Sequence, residues 1–235
     1  MTETVRLPMT DRRMLLLGGV AATVALGGTA LLLGGGAPAT EPIPGLPGFE
    51  RLARTGEITG GSPATLGLGG AGPDLSRAAL EEAGRLVQAD PVSALGHGGG
   101  IAFFTSAGCP LCPSQARRLA ALGRPYELRP LALFGGASDR AARAMIVEPL
   151  LHDRLVGTSF RTEDAFIAAV AEEEGLPNPV PAMDGPEVTR RLALNHALAA
   201  ALRLPGTPGV VIGMVLAPGL TSARTLAALA TRGAA

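Results

Sequence analysis

The chain has 235 residues, enough for one domain with a substantial hydrophobic core and a small additional segment. The composition is 47% hydrophobic, the formal net charge is zero and no basic stripe stands out, which argues against nucleic acid as a partner. Aromatic residues make up 3% of the chain, so the core must be built from Leu, Val, Ile and Ala.

The N-terminus combines positive charge with a long uncharged stretch. Arg12 and Arg13 precede an apolar run over residues 15–33, close to the ~20 apolar residues that cross a bilayer core. Because the charges come first, we expect the N-terminus to stay in the cytoplasm and the rest to be exported. The paired arginines also resemble a twin-arginine signal, and residues 37–39, Ala-Pro-Ala, fit a signal-peptidase site. Residues 1–39 are therefore predicted to be a cleaved signal or a retained membrane anchor.

The segment that follows, residues 40–89, is predicted to be a linker and a short helical extension. Residues 34–48 are rich in glycine and proline, as linkers are, and residues 49–72 give mixed signals. Asp74 to Gln88 is predicted to be a helix, because Pro73 precedes it and its apolar residues recur near helical spacing.

Residues 90–235 have the pattern of a mixed α/β domain. Residues 101–106, "IAFFTS", form an apolar run of strand length, and a helical stripe ending near Gly123 follows. Residues 126–134 are predicted to be the next strand, and Pro130 either weakens this prediction or places the strand at a sheet edge. The later elements are helical patterns over 138–175 and 187–204, a hairpin of 210–212 with 215–216, and a last helix over 222–231.

The only two cysteines, Cys109 and Cys112, lie in the window Cys-Pro-Leu-Cys, which admits three interpretations. A structural disulfide there would close a very short loop and constrain the unfolded chain little. A structural zinc site needs four ligands, but there is no second cysteine pair, and His97, His152 and His196 are scattered. Of these, His196 lies in a helical pattern that is more typical of a satisfied core or surface residue.

The third interpretation is a redox pair. Cys109 falls between an apolar strand and a helix, where the helix dipole and free N–H groups favour a thiolate. Cys112 lies one helical turn further on the same side, so that it can attack a mixed disulfide at Cys109. Pro110 is tolerated in the first turn of the helix. A CxxC motif after a strand, in an exported chain, favours this interpretation over the other two.

Three blocks of the sequence resemble the DsbA-like thiol–disulfide oxidoreductases of the thioredoxin superfamily. They are "IAFFTSAGCPLCPSQARRL", "GTPGVVIG" and "LAPGLTSARTLAAL", and the resemblance covers about residues 90–232. It implies a thioredoxin-like fold with a helical insertion at about 135–186, preceded by the N-terminal signal or anchor helix. The second block resembles a cis-proline loop, which gives Thr207 and Pro208 a role in binding an extended substrate segment.

The resemblance also implies the chemistry and its setting. Cys109 would be the nucleophile and Cys112 the resolving thiol, with no metal and no small-molecule cofactor. The partners would be cysteine-containing exported proteins and a redox partner protein, on the periplasmic side of the inner membrane. Ala102 is interpreted as standing where many relatives carry an acidic residue near the active site. Oxidase, reductase and isomerase activity all stay open, and the alternative is a thioredoxin-fold copper metallochaperone or assembly factor.

Overall fold

A computed structural model describes residues 38–59, 76–95, 100–133, 136–157 and 163–232. The predicted N-terminal span at residues 15–33 and His97 lie outside these ranges. Among the described residues, none of the helices is long and apolar enough to cross a membrane.

The described part of the chain contains six strands and eight α-helices. The strands are β1 (Thr40–Pro42), β2 (Glu50–Leu52), β3 (Ile101–Thr105), β4 (Glu127–Pro130), β5 (Gly209–Ile212) and β6 (Val215–Pro218). The helices are α1 (Arg77–Ala89), α2 (Pro91–Ala94), α3 (Cys112–Ala120), α4 (Gly136–Val147), α5 (His152–Leu155), α6 (Asp164–Glu173), α7 (Pro186–Ala201) and α8 (Ala223–Arg232). Short 3₁₀ turns occupy Pro149–Leu151 and Val180–Ala182.

The six strands form one mixed sheet in the order β1-β2-β6-β5-β3-β4. Strands β3 and β4 are parallel, and α3 connects them. Strands β5 and β6 form the predicted antiparallel hairpin, and α8 follows it. Helices α4 to α7 lie between β4 and β5 in the chain, as the helical insertion requires. Pro130 ends β4 at the sheet edge, the position where a strand tolerates proline, so this prediction is confirmed.

Strand β3 is buried on both faces, and its side chains alternate between two core clusters. Ile101 and Phe103 belong to the cluster that contains Cys109 and residues of α3 and α8. Ala102 and Phe104 belong to the opposite cluster, which contains residues of α7. This alternation follows from the two-residue period of a strand, and it explains why "IAFFT" reads as an unbroken apolar run.

The linker predicted for residues 34–48 is wrong over residues 40–48. Residues 40–42 pair with 50–52 as β1 and β2, and β2 joins the main sheet through β6. The turn between them buries Ile43, Leu46 and Phe49, each at most 6% exposed. Gly48 adopts φ +81° there, a conformation that glycine reaches without strain. The glycine and proline content therefore reflects a tight, packed turn.

The helix predicted for Asp74 to Gln88 is confirmed, with bounds shifted to α1. Ser76 caps it, because its side chain accepts a hydrogen bond from the N–H of Ala79. Its buried residues Leu80 and Ala83 lie in one cluster with residues of α7. The helix is therefore packed into the same compact unit as the sheet.

Candidate redox site

The two cysteines lie where the chain passes from β3 into α3. The N–H of Cys109 donates to the carbonyl of Ser106 at 3.0 Å, and the N–H of Cys112 donates to the carbonyl of Cys109 at 3.3 Å. The two side chains form a disulfide with a Cα–Cα distance of 5.5 Å, within the usual range for such bonds. The turn thus brings the two sulfur atoms into bonding distance, as the redox pair requires.

The start of α3 differs from the sequence-based expectation. Cys109 precedes the helix, which begins at Cys112, and Pro113 rather than Pro110 lies in its first turn. Pro110 is part of the turn before the helix. Both cysteines are 0% exposed, so a substrate thiolate reaches Cys109 only if the residues that cover it move.

The structure brings Thr207 and Pro208 to the same end of the sheet as the cysteines. Phe104, near the end of β3, pairs with Gly209, the first residue of β5. The loop that carries Cys109 leaves β3 just after this pair, and Pro208 enters β5 just before it. The peptide bond between Thr207 and Pro208 is cis, as the sequence block "GTPGVVIG" led us to expect.

A chain of hydrogen bonds connects α3 to the proline loop. Gln115, which is fully buried one turn after Cys112, accepts a hydrogen bond at 2.8 Å from the N–H of Thr221. The hydroxyl of Thr221 donates to the carbonyl of Gly219, whose N–H donates to the carbonyl of Pro208. Sequence reasoning missed Gln115, because a lone glutamine in a helix reads as a surface residue.

His152 supplies a buried titratable group on the cysteine side of the sheet. Its Nε2 lies 3.2 Å from the hydroxyl of Thr105, its Nδ1 lies 2.8 Å from a carboxylate oxygen of Asp153, and its ring packs edge-on against Phe103. Burial lowers the pKa of His152, and Asp153 partly opposes that shift. Thr105 and Phe103 alternate with Phe104 along β3, so the imidazole lies on the face that also packs the cysteines.

The interpretation of Ala102 as a position beside the active site is wrong. Its side chain belongs to the core cluster on the face opposite the cysteines. The neighbouring residue Phe103 faces the cysteine side instead. A shift of one residue along a strand exchanges the two faces, and the sequence alone did not determine this register.

The helical insertion contacts the active-site turn directly. The N–H of Gly157, just after α5, donates to the carbonyl of Ala107 at 2.9 Å. A Cβ atom on Gly157 would lie 3.7 Å from the Pro113 ring, which shows how closely the two segments approach. The insertion therefore helps to cover the cysteine pair.

The backbone of Thr207 is paired with the chain's own Thr59. The N–H of Thr59 donates to the carbonyl of Thr207 at 2.7 Å, and the N–H of Thr207 donates back at 3.2 Å. Glu57 and Leu220 form a second antiparallel bridge beside it. Residues 49–72 have no clear helix or strand pattern, so sequence analysis did not predict this contact.

A metal site finds no support in the described ranges. They contain no group of three or more His, Cys, Asp or Glu residues placed to hold an ion. His196 accepts a hydrogen bond at 3.0 Å from the N–H of Ala132, which confirms that it is a satisfied core residue. Burial lowers the pKa of His196 to about 4, so the imidazole is neutral at physiological pH.

Comparison with known proteins finds similarity at the level of structure. No protein-family model matches the chain, and no curated protein matches it. A thioredoxin-like oxidoreductase from Silicibacter pomeroyi DSS-3 is 28% identical with a TM-score of 0.52, over 58% of this chain and 88% of that one. Two further solved structures share the fold at lower identity.

These are ScsC from Proteus mirabilis in a compact conformation and the thiol-disulfide exchange protein alpha-DsbA2 from Wolbachia pipientis. The first is 23% identical with a TM-score of 0.50, over 66% of this chain and 94% of that one. The second is 16% identical with a TM-score of 0.53, over 67% of this chain and 98% of that one. The chain therefore has a fold similar to that of a thioredoxin-like oxidoreductase, and its cysteine pair lies between β3 and α3.

Proposed function

We propose that the protein is an exported thiol–disulfide oxidoreductase that exchanges disulfides with protein cysteines through Cys109 and Cys112. The observation that carries the proposal is the Cys109–Cys112 disulfide, formed in the turn between a buried strand and a helix. The similarity to a thioredoxin-like oxidoreductase at 28% identity supports it. A disulfide across such a short loop adds little stability, so its placement favours chemistry over a structural role.

The exchange proceeds in two steps that balance. A substrate thiolate attacks the Sγ of Cys109, a new S–S bond forms, and the Cys109–Cys112 bond breaks with its electron pair on Cys112, which takes up a proton. A second substrate thiolate then attacks the substrate sulfur of this mixed disulfide and releases Cys109 as a thiolate. The substrate loses two electrons and two protons in forming its disulfide. The cysteine pair gains both electrons and one proton, which Cys112 holds, and the second proton passes to the solvent. Run backwards, the same steps reduce a substrate, with Cys112 resolving the mixed disulfide.

Thr207 and Pro208 are proposed to bind the substrate near the cysteines. Their loop leaves the sheet beside the loop of Cys109, on the neighbouring strand. The N–H and the carbonyl of Thr207 would pair with an extended substrate segment, as a strand pairs with a sheet edge.

The setting is proposed from the N-terminal sequence. Residues 1–39 would direct export and then be cleaved or kept as a membrane anchor, which leaves residues 40–235 on the periplasmic side of the inner membrane. Disulfide exchange is productive in that oxidising compartment. The partners would be exported proteins with cysteines, and a redox partner protein that resets the pair.

The reduction potential of the cysteine pair is the first test. The chain is equilibrated in glutathione buffers, and the fraction of oxidised Cys109–Cys112 is followed by thiol labelling and mass spectrometry. A potential of about −120 mV identifies a donor of disulfides, and a potential of about −270 mV identifies a reductant. The absence of a reversible couple contradicts the proposal.

A further inference from the structure

A short segment of the chain itself lies across the edge that a substrate would need. We call residues 56–59, Gly-Glu-Ile-Thr, the strap. The N–H of Gly56 donates to the carbonyl of Pro218 at 2.9 Å, and the N–H of Leu220 donates to the carbonyl of Glu57 at 2.7 Å. With the two bonds between Thr59 and Thr207, the strap makes two antiparallel bridges to neighbouring loops.

The strap uses the hydrogen-bonding groups that an incoming peptide would use. Both the N–H and the carbonyl of Thr207 are bonded to Thr59. An extended peptide that pairs with Thr207 in the antiparallel direction needs the same two groups. The strap and a substrate segment therefore cannot pair with Thr207 at the same time.

The sequence is adapted to this contact. A Cβ atom on Gly56 would lie 2.4 Å from the carbonyl oxygen of Leu220, and one on Gly219 would lie 2.4 Å from the carbonyl oxygen of Gly56. Only glycine at both positions allows the two backbones to approach so closely. The close approach is thus a property of these two residues and of the register between the segments.

The strap is held by its backbone and not by the core. Ile58 is 38% exposed, and Glu57 is exposed as well. A segment with few buried apolar contacts opens at low cost in free energy compared with the global unfolding of the domain. Another extended backbone that offers the same hydrogen bonds can therefore replace it.

We propose that the strap is an internal competitor of the substrate, which occupies the docking edge at Thr207 until an extended, cysteine-containing peptide displaces it. The inference rests on the proposed function. Once the strap has left, the substrate thiolate forms its bond to the Sγ of Cys109 and the Cys109–Cys112 bond breaks, with the electron pair and then a proton passing to Cys112. Only the fraction of molecules in which the strap has left can bind substrate. The apparent Kd for substrate therefore equals the intrinsic Kd divided by that fraction.

Two variants release the strap and one serves as a matched control. Gly56→Ala places a methyl group against the carbonyl of Leu220, and Thr59→Pro removes the N–H that bonds Thr207. Gly84→Ala adds the same methyl group in α1, where no heavy atom lies within 4 Å. In the full chain, kcat/KM for the oxidation of a reduced two-cysteine peptide should rise roughly fivefold or more in the two strap variants and stay unchanged in Gly84→Ala.

Hydrogen exchange gives a readout that does not depend on the strap variants. In the Cys112→Ala variant, the Cys109 thiolate attacks a peptide that carries a disulfide. One half of the peptide stays bound to Cys109 as a trapped mixed disulfide, and the other half leaves as a thiolate. The amide of Thr59 should be protected in the free protein and lose that protection in the trapped complex, while the amide of Thr207 stays protected by the peptide.

The outcomes separate the two proposals. Exchange by the native chain without acceleration in the strap variants, or a Thr59 amide that stays protected in the complex, overturns the competitor role and leaves the proposed function standing. Variants that exchange while the native chain does not would support the competitor role strongly. If none of the folded chains exchanges disulfides with the peptide, the proposed function fails and the competitor role fails with it.

Discussion

The side-chain carbonyl of Gln115 accepts a hydrogen bond at 2.8 Å from the backbone N–H of Thr221 in the fully buried interior. This contact joins α3, which begins at Cys112, to the loop after β6, and Gly219 of that loop donates a hydrogen bond to the carbonyl of Pro208. The two parts of the proposed site come from positions about one hundred residues apart in the chain, and this glutamine fixes one against the other.

Removing that acceptor should destabilise the domain. Gln115→Met keeps a similar side-chain length but leaves the N–H of Thr221 buried without its partner, which costs about 1–3 kcal/mol. Urea unfolding measures the free energy of unfolding. The control is Ser114→Ala, one residue away, where only a surface contact with Arg117 is lost and the expected change is within about 0.5 kcal/mol. Equal values for the two variants would contradict the role of Gln115.

The two cysteines should differ in what their replacement does. Cys109→Ser should abolish disulfide exchange, because the proposed nucleophile is lost. Cys112→Ala should instead accumulate a mixed disulfide with a substrate that carries a disulfide, because the thiol that resolves it is absent. Non-reducing gels and mass spectrometry distinguish the two results. Turnover retained by the Cys109→Ser variant would remove the basis of the proposed mechanism.

The protein should lose stability as the pH falls from about 6.5 towards 4. Burial lowers the pKa of His196 to about 4 and also lowers the pKa of His152, whereas an unfolded histidine titrates near 6.5. Below pH 6.5 the unfolded chain therefore binds protons that the folded chain does not, and this favours unfolding. The contribution of the two neutral histidines to the free energy of unfolding is fully present above pH 6.5. The protonation of His196 alone lowers the free energy of unfolding by roughly 3 kcal/mol at pH 4.

Equilibrium unfolding at several pH values, with a matched variant, checks this dependence. His196→Gln keeps an acceptor near the N–H of Ala132 but does not titrate. The slope of the unfolding free energy against pH between 6.5 and 4 should be shallower in this variant than in the native chain. Identical slopes would show that His196 is protonated equally well in both states.

Breaking a buried ion pair in the helical insertion should lower the free energy of unfolding more than replacing both of its charged residues by apolar ones. The Nε of Arg143 donates to Asp139 at 2.6 Å, and both side chains are at most 2% exposed. Asp139→Asn leaves the guanidinium without its counter-charge and should lower the free energy of unfolding by about 3–5 kcal/mol.

A double variant tests the explanation. Asp139→Leu combined with Arg143→Met removes both charges together, so it should destabilise the protein less than Asp139→Asn alone. Chemical denaturation of the native chain and both variants gives the comparison. A larger loss in the double variant would show that the hydrogen bonds of Arg143 to the carbonyl of Met183 and the hydroxyl of Thr189 matter more than the charge.

Most of the secondary-structure elements that were predicted correctly depend on local sequence patterns. The apolar run of β3, the helix after the cysteines, the last hairpin and the edge position of Pro130 were all predicted correctly. Each depends on periodicity, on turn residues or on the missing N–H of proline, which act over a few residues. Residues 40–48 were mispredicted as linker, because their burial depends on a sheet whose other strands lie far away in sequence.

Local sequence patterns were enough to predict the mixed α/β class and the position of the cysteine pair between a strand and a helix. The face of β3 that meets the cysteines became clear only in the folded chain, which also brings His152, Gln115 and Thr59 to the site. The reason is physical: strand periodicity and cysteine spacing are short-range properties of the chain. The burial of a histidine, or the pairing of Thr59 with Thr207, depends on contacts between segments that only the folded chain brings together.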